Sequence, residues 1–390
     1  MDLFIDKANL ISLLSSKTQE DNKETYWDCR RLMSRQLHLF YNFPKPYSND
    51  VEYPSSSNVD GAGWDEDVPN SDVLFDDYFN QLQQYRGKKE YDDTFCETIE
   101  DFDSACNKSI FKVYLLDDSL NHNIDRNNVL VGNVGKEITT LKKLFCGDDY
   151  DLHQLYDLQS ETSFPNWEQF EKDGHIFPTR DIVIFDRYLI SFFTNKDGVK
   201  KYDKRNFTNI CDILSRHCLA NTNIFVFTLS SFDNITEYQK IKQSISDKLK
   251  ARGIHLSLIL IPDYQADKER YPKENKIDAP HDRLILTNYR LIRSGDSYNY
   301  FRQDGTKQTK GKSLDVDSIA KAEITDYANT LINELSALYH KVLIHCNNYE
   351  EDRTIGPLSS SMIKMEESIP TTMEAKKENT LDDLRKKFMG

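Results

Sequence analysis

Short apolar stretches alternate with longer helical patterns through the middle of this 390-residue chain. Residues 182–185 and 224–227 consist only of Ile, Val and Phe, and residues 256–261 are apolar apart from one serine. Strands that are apolar at nearly every position are typical of a sheet covered on both faces. Between the last two, residues 234–252 show helical spacing of apolar residues. We therefore predict an α/β fold, with a mixed, mostly parallel sheet flanked by helices on both faces.

Further elements continue this pattern toward both ends of the chain. Asn9 is expected to cap a helix that begins near Leu10, because its side chain can accept a hydrogen bond from a free backbone N–H. The sequence also predicts strands at residues 3–5 and 111–116, helices at 24–41 and 316–343, and a strand pair, 284–292 with 297–301, that turns at Ser294-Gly295-Asp296.

An acidic segment interrupts the pattern. Residues 50–105 hold 16 acidic and 3 basic residues, so this segment carries nearly all of the chain's formal net charge of −14. A protein that coats nucleic acid with its whole surface is usually basic, which disfavours that class. Turn-forming residues within the segment indicate a surface insertion. We predict an acidic insertion over 44–105 inside a domain of residues 1–347, with a partner-binding or nucleic-acid-mimicking arm as the alternative.

The C-terminal residues 348–390 combine prolines, a serine run and mixed charge, which predicts a flexible tail. Within it, residues 379–389 are expected to form a short helix that docks on a partner protein, or to fray. Residues 1–30 lack the features of a signal peptide, and no apolar run approaches the roughly 20 residues that span a bilayer. We therefore expect a cytoplasmic protein without a membrane span.

The cysteines and histidines give no sign of a metal centre. The chain has seven cysteines and no C-x-x-C pair, so neither a disulfide framework nor a cysteine-rich zinc site is expected. We expect no metal and no cofactor.

One segment carries the candidate chemistry. His281 and Arg283 lie two residues apart at the start of a predicted strand, so alternation puts both side chains on one face. An arginine fork can hold the oxygens of a phosphate, while an imidazole attacks phosphorus or transfers a proton. Ser297 and Asn299 would add further donors around the phosphate.

This arrangement resembles the phospholipase D-like superfamily, whose signature is His-x-Lys, four residues and Asp, followed by a Gly-Ser-x-Asn-type stretch. The matching positions are His281, Arg283 in place of the lysine, Asn288 in place of the aspartate, and Ser297 and Asn299. The resemblance implies a metal-independent phosphodiesterase in which His281, Arg283 and Asn288 are the catalytic residues and Ser297 and Asn299 bind substrate.

The mechanism of that family needs two histidines. No other His in the chain is followed two residues later by Lys or Arg, so activity would require a homodimer that brings two copies of His281 together, or another group such as Asp186. Asp186 and Arg187 end a predicted strand, which is where sites on α/β sheets form. They are predicted to bind substrate together with Arg290 and Arg293.

The charge around the motif favours a phosphate ligand. Residues 268–312 hold 11 basic and 6 acidic residues, with tyrosines and a phenylalanine between them. Basic and aromatic side chains together suit single-stranded nucleic acid. We predict a phospholipase D-like phosphodiesterase or nuclease that acts on or binds nucleic acid. The alternative is a catalytically inert member of that fold, which binds partner proteins through the acidic insertion and the tail.

Overall fold

The chain divides into two compact units, residues 1–126 with 130–150 and residues 127–129 with 151–390. The computed structural model describes residues 1–14, 38–43, 93–116, 122–124, 131–132, 153–157, 166–172, 179–194, 196–198, 200–203, 205–230, 235–263, 276–277, 283–295, 298, 300, 313–349, 352–356 and 362–363. Each unit combines helices with a sheet of its own, one parallel and one mixed. The α/β class is therefore confirmed, although a single large sheet was expected.

The first unit is built on a parallel sheet with the strand order β3-β2-β1-β4-β5. Its elements are β1 (Asp2–Ile5), α1 (Lys7–Leu14), β2 (His38–Tyr41), β3 (Thr94–Phe95), α2 (Ile99–Lys108), β4 (Lys112–Leu115) and β5 (Val131–Gly132). Aromatic packing ties its layers together, because Phe4 on β1 stacks on Phe40 at 4.4 Å and meets the edge of Phe102 on α2 at 5.5 Å.

Three details of the first unit differ from the sequence-based expectation. Residues 38–41 form a strand and not the end of a helix, because they pair with β1 along their whole length. The cap of α1 is Asp6 and not Asn9, since the Asp6 carboxylate accepts a hydrogen bond from the Asn9 backbone N–H at 2.7 Å. The end of the expected insertion contains β3 and α2, whereas residues 44–92 lie outside the described residues.

The second unit holds an eight-stranded mixed sheet with the order β15-β11-β10-β7-β12-β13-β14-β6, and a separate β8–β9 ribbon. Its elements are β6 (His153–Asp157), α3 (Trp167–Lys172), β7 (Thr179–Phe185), β8 (Ser191–Thr194), β9 (Lys200–Asp203), α4 (Arg205–Ser215), β10 (Cys218–Ser230), α5 (Ile235–Lys250), β11 (His255–Pro262), β12 (Arg283–Leu286), β13 (Arg290–Ser294), β14 (Ser313–Ser318), α6 (Ala322–Tyr349) and β15 (Thr354–Ile355).

The parallel part of this sheet is smaller than expected. Only β7, β10 and β11 run parallel to one another, and they are the three apolar strands that the sequence pattern predicts. The other pairings in the sheet are antiparallel. The expectation of a mostly parallel sheet is therefore wrong for this unit, because antiparallel strands extend it on both sides of β7, β10 and β11.

Both faces of the mixed sheet are buried. On one face, Ile184 of β7, Val226 of β10 and Leu258 of β11 belong to a core cluster that also includes side chains of α3, α4 and α5. Along the same strands, the alternating residues Phe185 and Phe227 are buried as well and point to the opposite face. Helix α6 packs against β11. Among the described helices, none is both long and apolar enough to cross a membrane.

The C-terminal half of this unit shows further differences. Strand β14 occupies the start of the expected helix 316–343, so α6 begins at Ala322 and continues to Tyr349. Beyond it, β15 pairs with β11, and Gly356 follows with φ at +126°. A Cβ atom at Gly356 would collide with the carbonyl oxygen of Leu256, so only glycine allows this close approach. The expected tail begins at 348, whereas the described part of that region continues the sheet; residues 379–389 lie outside it.

Candidate functional site

The β12–β13 hairpin brings the candidate site residues to two separate places. Its strands pair Arg283 with Ser294 and Leu286 with Leu291, so the turn lies at residues 287–289 and not at Ser294-Gly295-Asp296 as expected. We call the end with Arg283 and Ser294 the open end, and the end with residues 287–290 the turn end.

Asp186 lies at the open end, directly after strand β7. Its side chain is fully buried, and the register of β7 with β12 brings it beside Arg283. One carboxylate oxygen accepts a hydrogen bond from the Tyr188 backbone N–H at 2.9 Å, and the other accepts one from the Tyr298 backbone N–H at 3.2 Å. A buried carboxylate thus fixes two loops against the end of β7.

Arg283 faces this carboxylate. Its Nε atom lies 3.7 Å from Oδ1 of Asp186, and the Arg283 side chain is only 11% exposed. The guanidinium also donates from Nη1 to the carbonyl oxygen of Gly295 at 2.9 Å, and its Cζ atom lies 5.6 Å from the centre of the Tyr188 ring. The Nε atom is buried and has no hydrogen-bond partner among the residues that the structure describes.

Buried aromatic residues pack beneath the open end. Tyr298 and Tyr300 are buried, and their rings lie 6.3 and 5.5 Å from the ring of Trp167 on α3. The Tyr298 hydroxyl donates to the carbonyl oxygen of Ile292 at 2.8 Å. Burial raises the pKa of Tyr298 well above its ordinary value, and the neighbouring Tyr300 and Asp186 raise it further. Tyr298 is therefore a protonated donor and not a base at neutral pH.

Asn288 lies at the turn end and not beside Arg283. Its carboxamide oxygen accepts hydrogen bonds from the hydroxyl of Thr179 at 2.6 Å, from the backbone N–H of Arg180 at 2.9 Å and from that of Asp181 at 3.2 Å. The residue is 6% exposed. Its observed contacts attach the hairpin turn to the start of β7, at the opposite end of that strand from Asp186.

The two other predicted arginines of the hairpin point elsewhere. Arg290 is buried at the turn end and donates to the carbonyl oxygen of Tyr289 at 3.4 Å. Burial lowers the pKa of Arg290 to about 10, which still leaves it charged at neutral pH. Arg293 alternates with Ser294 and so lies on the opposite face of the sheet from Arg283, where it donates to Asp317 at 2.8 Å. The structure does not bring either arginine to the open end.

The remaining predicted residues are only partly covered by the structure. Arg187 lies next to the open end, and its carbonyl oxygen accepts hydrogen bonds from Thr228 and Leu229 of β10. His281, Ser297 and Asn299 lie outside the described residues.

Tyr188 belongs to this site but was not among the predicted residues. It is 50% exposed, although it directly follows a buried strand end. The signal in the sequence is weak: an aromatic residue follows the Asp186-Arg187 pair. Its proximity to Arg283 arises from the pairing of β7 with β12, which are separated by about 100 residues in the chain.

The open end therefore presents a neutralised charge pair and an exposed ring. The Asp186 carboxylate offsets the charge of Arg283, which lowers the local positive potential but keeps the guanidinium in one orientation. Within the described parts of the chain, no group of three or more His, Cys, Asp or Glu side chains could hold a metal ion. Comparison with known proteins adds no assignment, because no protein-family model and no curated protein matches this chain.

Proposed function

We propose that this chain is a phospholipase D-like protein that binds and cleaves phosphodiesters of nucleic acid at the open end of the β12–β13 hairpin. The observation that supports this most directly is the buried Asp186–Arg283 pair. Its arginine lies two residues after His281 in the chain, and the Arg283 Nε atom has no hydrogen-bond partner within the described part of the chain. A guanidinium held in place by a carboxylate is suited to a phosphate, since its orientation is fixed before the ligand arrives.

In this proposal His281 is the nucleophile. Its imidazole nitrogen forms a bond to phosphorus while the bond from phosphorus to the leaving oxygen breaks, and the His281 of a second copy gives the leaving oxygen its proton. Water then hydrolyses the N–P bond and restores the imidazole. Because the chain has a single motif of this kind, the active form is a homodimer. The reaction needs no metal, and the protein is cytoplasmic.

Asn288 has a different role in this proposal from the catalytic one that the resemblance implies. Three donors converge on its carboxamide oxygen, so an acceptor is what the position requires. A carboxylate, the group that the family pattern has there, would meet the same requirement. The Asn in place of Asp therefore changes little at the reacting atoms, and we assign Asn288 to the support of the hairpin.

A second candidate function is supported by the inward orientation of Arg283. Its Nη1 atom already donates to Gly295, and its charge is offset by Asp186, so fewer of its donors are free for a ligand. This favours a catalytically inert module that binds partner proteins through the acidic segment 50–105 or through residues 379–389.

A metal-free turnover assay separates these two functions. The protein is incubated in EDTA with bis(p-nitrophenyl) phosphate and with a labelled oligonucleotide, and wild type is compared with His281→Ala. We expect EDTA-resistant turnover in the wild type and a loss of at least about 100-fold in the variant, because no second nucleophile would replace the imidazole. Absence of turnover, or turnover that His281→Ala does not change, would contradict cleavage and favour the inert module.

A further inference from the structure

We propose that Tyr188 is a base-stacking residue that makes the open end select single-stranded over double-stranded nucleic acid. This inference rests on the proposed function and adds the form of the substrate and one specificity residue to it. It is carried by the position, contacts and exposure of the Tyr188 ring.

The position of Tyr188 is fixed by the same carboxylate that faces Arg283. Oδ1 of Asp186 accepts the Tyr188 backbone N–H at 2.9 Å and lies 3.7 Å from Nε of Arg283. The next residue, Leu189, is fully buried and donates its backbone N–H to the carbonyl oxygen of Asp186. The ring therefore extends from a short turn that is held on both sides, and not from a long loop.

The contact with Arg283 orients the ring. The guanidinium carbon lies over the ring, 5.6 Å from its centre, which is within the range of a cation–π interaction. Tyr188 is nevertheless 50% exposed. In this inference a planar group stacks on Tyr188 while a phosphate next to that group contacts the accessible part of Arg283, whose side chain is 11% exposed.

Exposure of this kind is rare in the described parts of the chain. Only two large aromatic side chains there are exposed, Tyr188 and Tyr327, and Tyr327 lies on α6. Tyr298 and Tyr300 at the same end of the hairpin are buried in the core. At this end of the hairpin, the accessible aromatic residue is thus Tyr188, which contacts Arg283, the candidate phosphate-binding residue.

A nucleobase next to the bound phosphate has the shape and the π-face that this ring accepts. In a single strand the bases are free to stack on aromatic side chains, and such stacking tolerates any sequence. In a duplex both faces of a base are covered by its neighbours, so a base reaches a protein ring only after it is flipped out. Stacking on Tyr188 therefore favours the single strand.

Binding measurements test this inference with EDTA present and with His281→Ala in every protein, the reference protein included, so that neither the proposed activity nor a metal-dependent nuclease degrades the probe. The probes are a fluorescein-labelled dT oligonucleotide of about 16 nucleotides and a duplex of the same length. The full-length variants are Tyr188→Ala, Tyr188→Phe, Arg283→Lys and, as the matched exposed tyrosine, Tyr327→Ala. A second oligonucleotide carries 2-aminopurine, whose fluorescence is quenched when it stacks on an aromatic ring.

We expect Tyr188→Ala to weaken single-strand binding by about 5- to 100-fold, as for the loss of one stacked base, and to leave duplex binding unchanged. Tyr188→Phe and Tyr327→Ala should bind like the reference protein, and only Tyr188→Ala should lose the quenching of 2-aminopurine. Equal losses on both probes, or no loss on the single strand, would overturn the stacking role.

Arg283→Lys distinguishes failure of this inference from failure of the proposed function. The lysine keeps the charge opposite Asp186 but loses the planar fork, so binding of both probes should weaken if Arg283 holds phosphate. If Arg283→Lys weakens binding and Tyr188→Ala does not, the stacking role alone is wrong. If the reference protein binds neither probe, or if both variants bind like the reference protein, both proposals are wrong.

Discussion

The two ends of the β12–β13 hairpin use buried polar side chains in different ways. At the turn end, the Asn288 oxygen accepts three hydrogen bonds and Thr179 and Asp181 close around it. At the open end, the Arg283 Nε atom lies 3.7 Å from the Asp186 carboxylate and has no hydrogen-bond partner among the described residues, and an exposed tyrosine lies beside it. Satisfied polar groups hold a fold together. The buried Nε atom of Arg293 also lacks a partner among the described residues, so the exposed ring beside Arg283, and not the unpaired donor alone, makes the open end the candidate for a ligand.

The largest effect should come from removal of one member of the charge pair. Arg283→Met leaves the Asp186 carboxylate buried and without its counter-charge, which should lower the free energy of unfolding by about 3 kcal/mol. The double variant Asp186→Asn/Arg283→Met buries no charge and should be more stable than Arg283→Met alone. Urea denaturation measures both. A loss below about 1 kcal/mol in the single variant would show that solvent reaches the pair, since exposed pairs are worth no more than that.

Substitution at the turn end should have a smaller effect on stability and little on binding. Asn288→Ala removes the acceptor of three donors, two of them backbone N–H groups, and should lower the free energy of unfolding by about 2 kcal/mol. Asn288→Asp keeps an acceptor and should remain within about 1 kcal/mol of the wild type.

The Asn288→Asp variant also tests whether the turn end acts in catalysis. Asn288→Asp should bind the dT oligonucleotide with unchanged affinity, measured by fluorescence anisotropy. An increase or a loss of turnover by more than about ten-fold in Asn288→Asp, with stability unchanged, would mean that this residue influences the reacting atoms and would remove the distinction between the two ends.

The smallest expected effect is a change in stability at alkaline pH, which would arise at the open end from the titration of Tyr298. Tyr298 at the open end keeps its proton in the folded state above pH 10, where a tyrosine in the unfolded chain releases it. The unfolded state then binds fewer protons, so the contribution of Tyr298 to stability is intact below pH 10 and falls above it, by at most about 1.4 kcal/mol per pH unit.

Tyr298→Phe should therefore be less stable than the wild type at pH 8, because it lacks the hydrogen bond to Ile292, and this deficit should shrink at pH 11. Thermal denaturation at the two pH values gives the comparison. A deficit that stays constant from pH 8 to pH 11 would show that the Tyr298 hydroxyl is hydrated in the folded protein.

The sequence was informative where a single segment determines the structure. Strands β7, β10 and β11 each contain a run of mostly apolar residues, and the helix between β10 and β11 has regular apolar spacing, so local pattern was sufficient to predict them. The hairpin was placed wrongly because Ser294-Gly295-Asp296 has strong turn chemistry, while the actual turn contains Asn288 and Tyr289 and no glycine. The Thr287 hydroxyl accepts the backbone N–H groups of Tyr289 and Arg290 within the turn, and Thr179, more than 100 residues away in the chain, adds a long-range hydrogen bond to Asn288.

The candidate site was predictable only in part for the same reason. Asp186 was recognised from its place at the end of an apolar strand, and the structure puts it beside Arg283. The separation of Arg290 and Arg293 from that end depends on strand register, because a shift of one residue reverses the face on which a side chain lies. The role of Tyr188 depends on a contact between β7 and β12 that no local pattern encodes.

The strand order of the mixed sheet also determines when each strand can find its partner during synthesis of the chain. Every described strand of the first sheet is synthesised before residue 133. In the second sheet, β6 pairs with β14, which is synthesised much later, and His153 lies opposite Asp317. A ribosome that adds about 5–20 residues per second needs roughly 8 to 33 seconds to extend the chain from His153 to Asp317. Throughout that interval β6 has no partner among the described strands, and β15 joins the opposite edge later still. The second unit therefore completes its sheet from the centre outward.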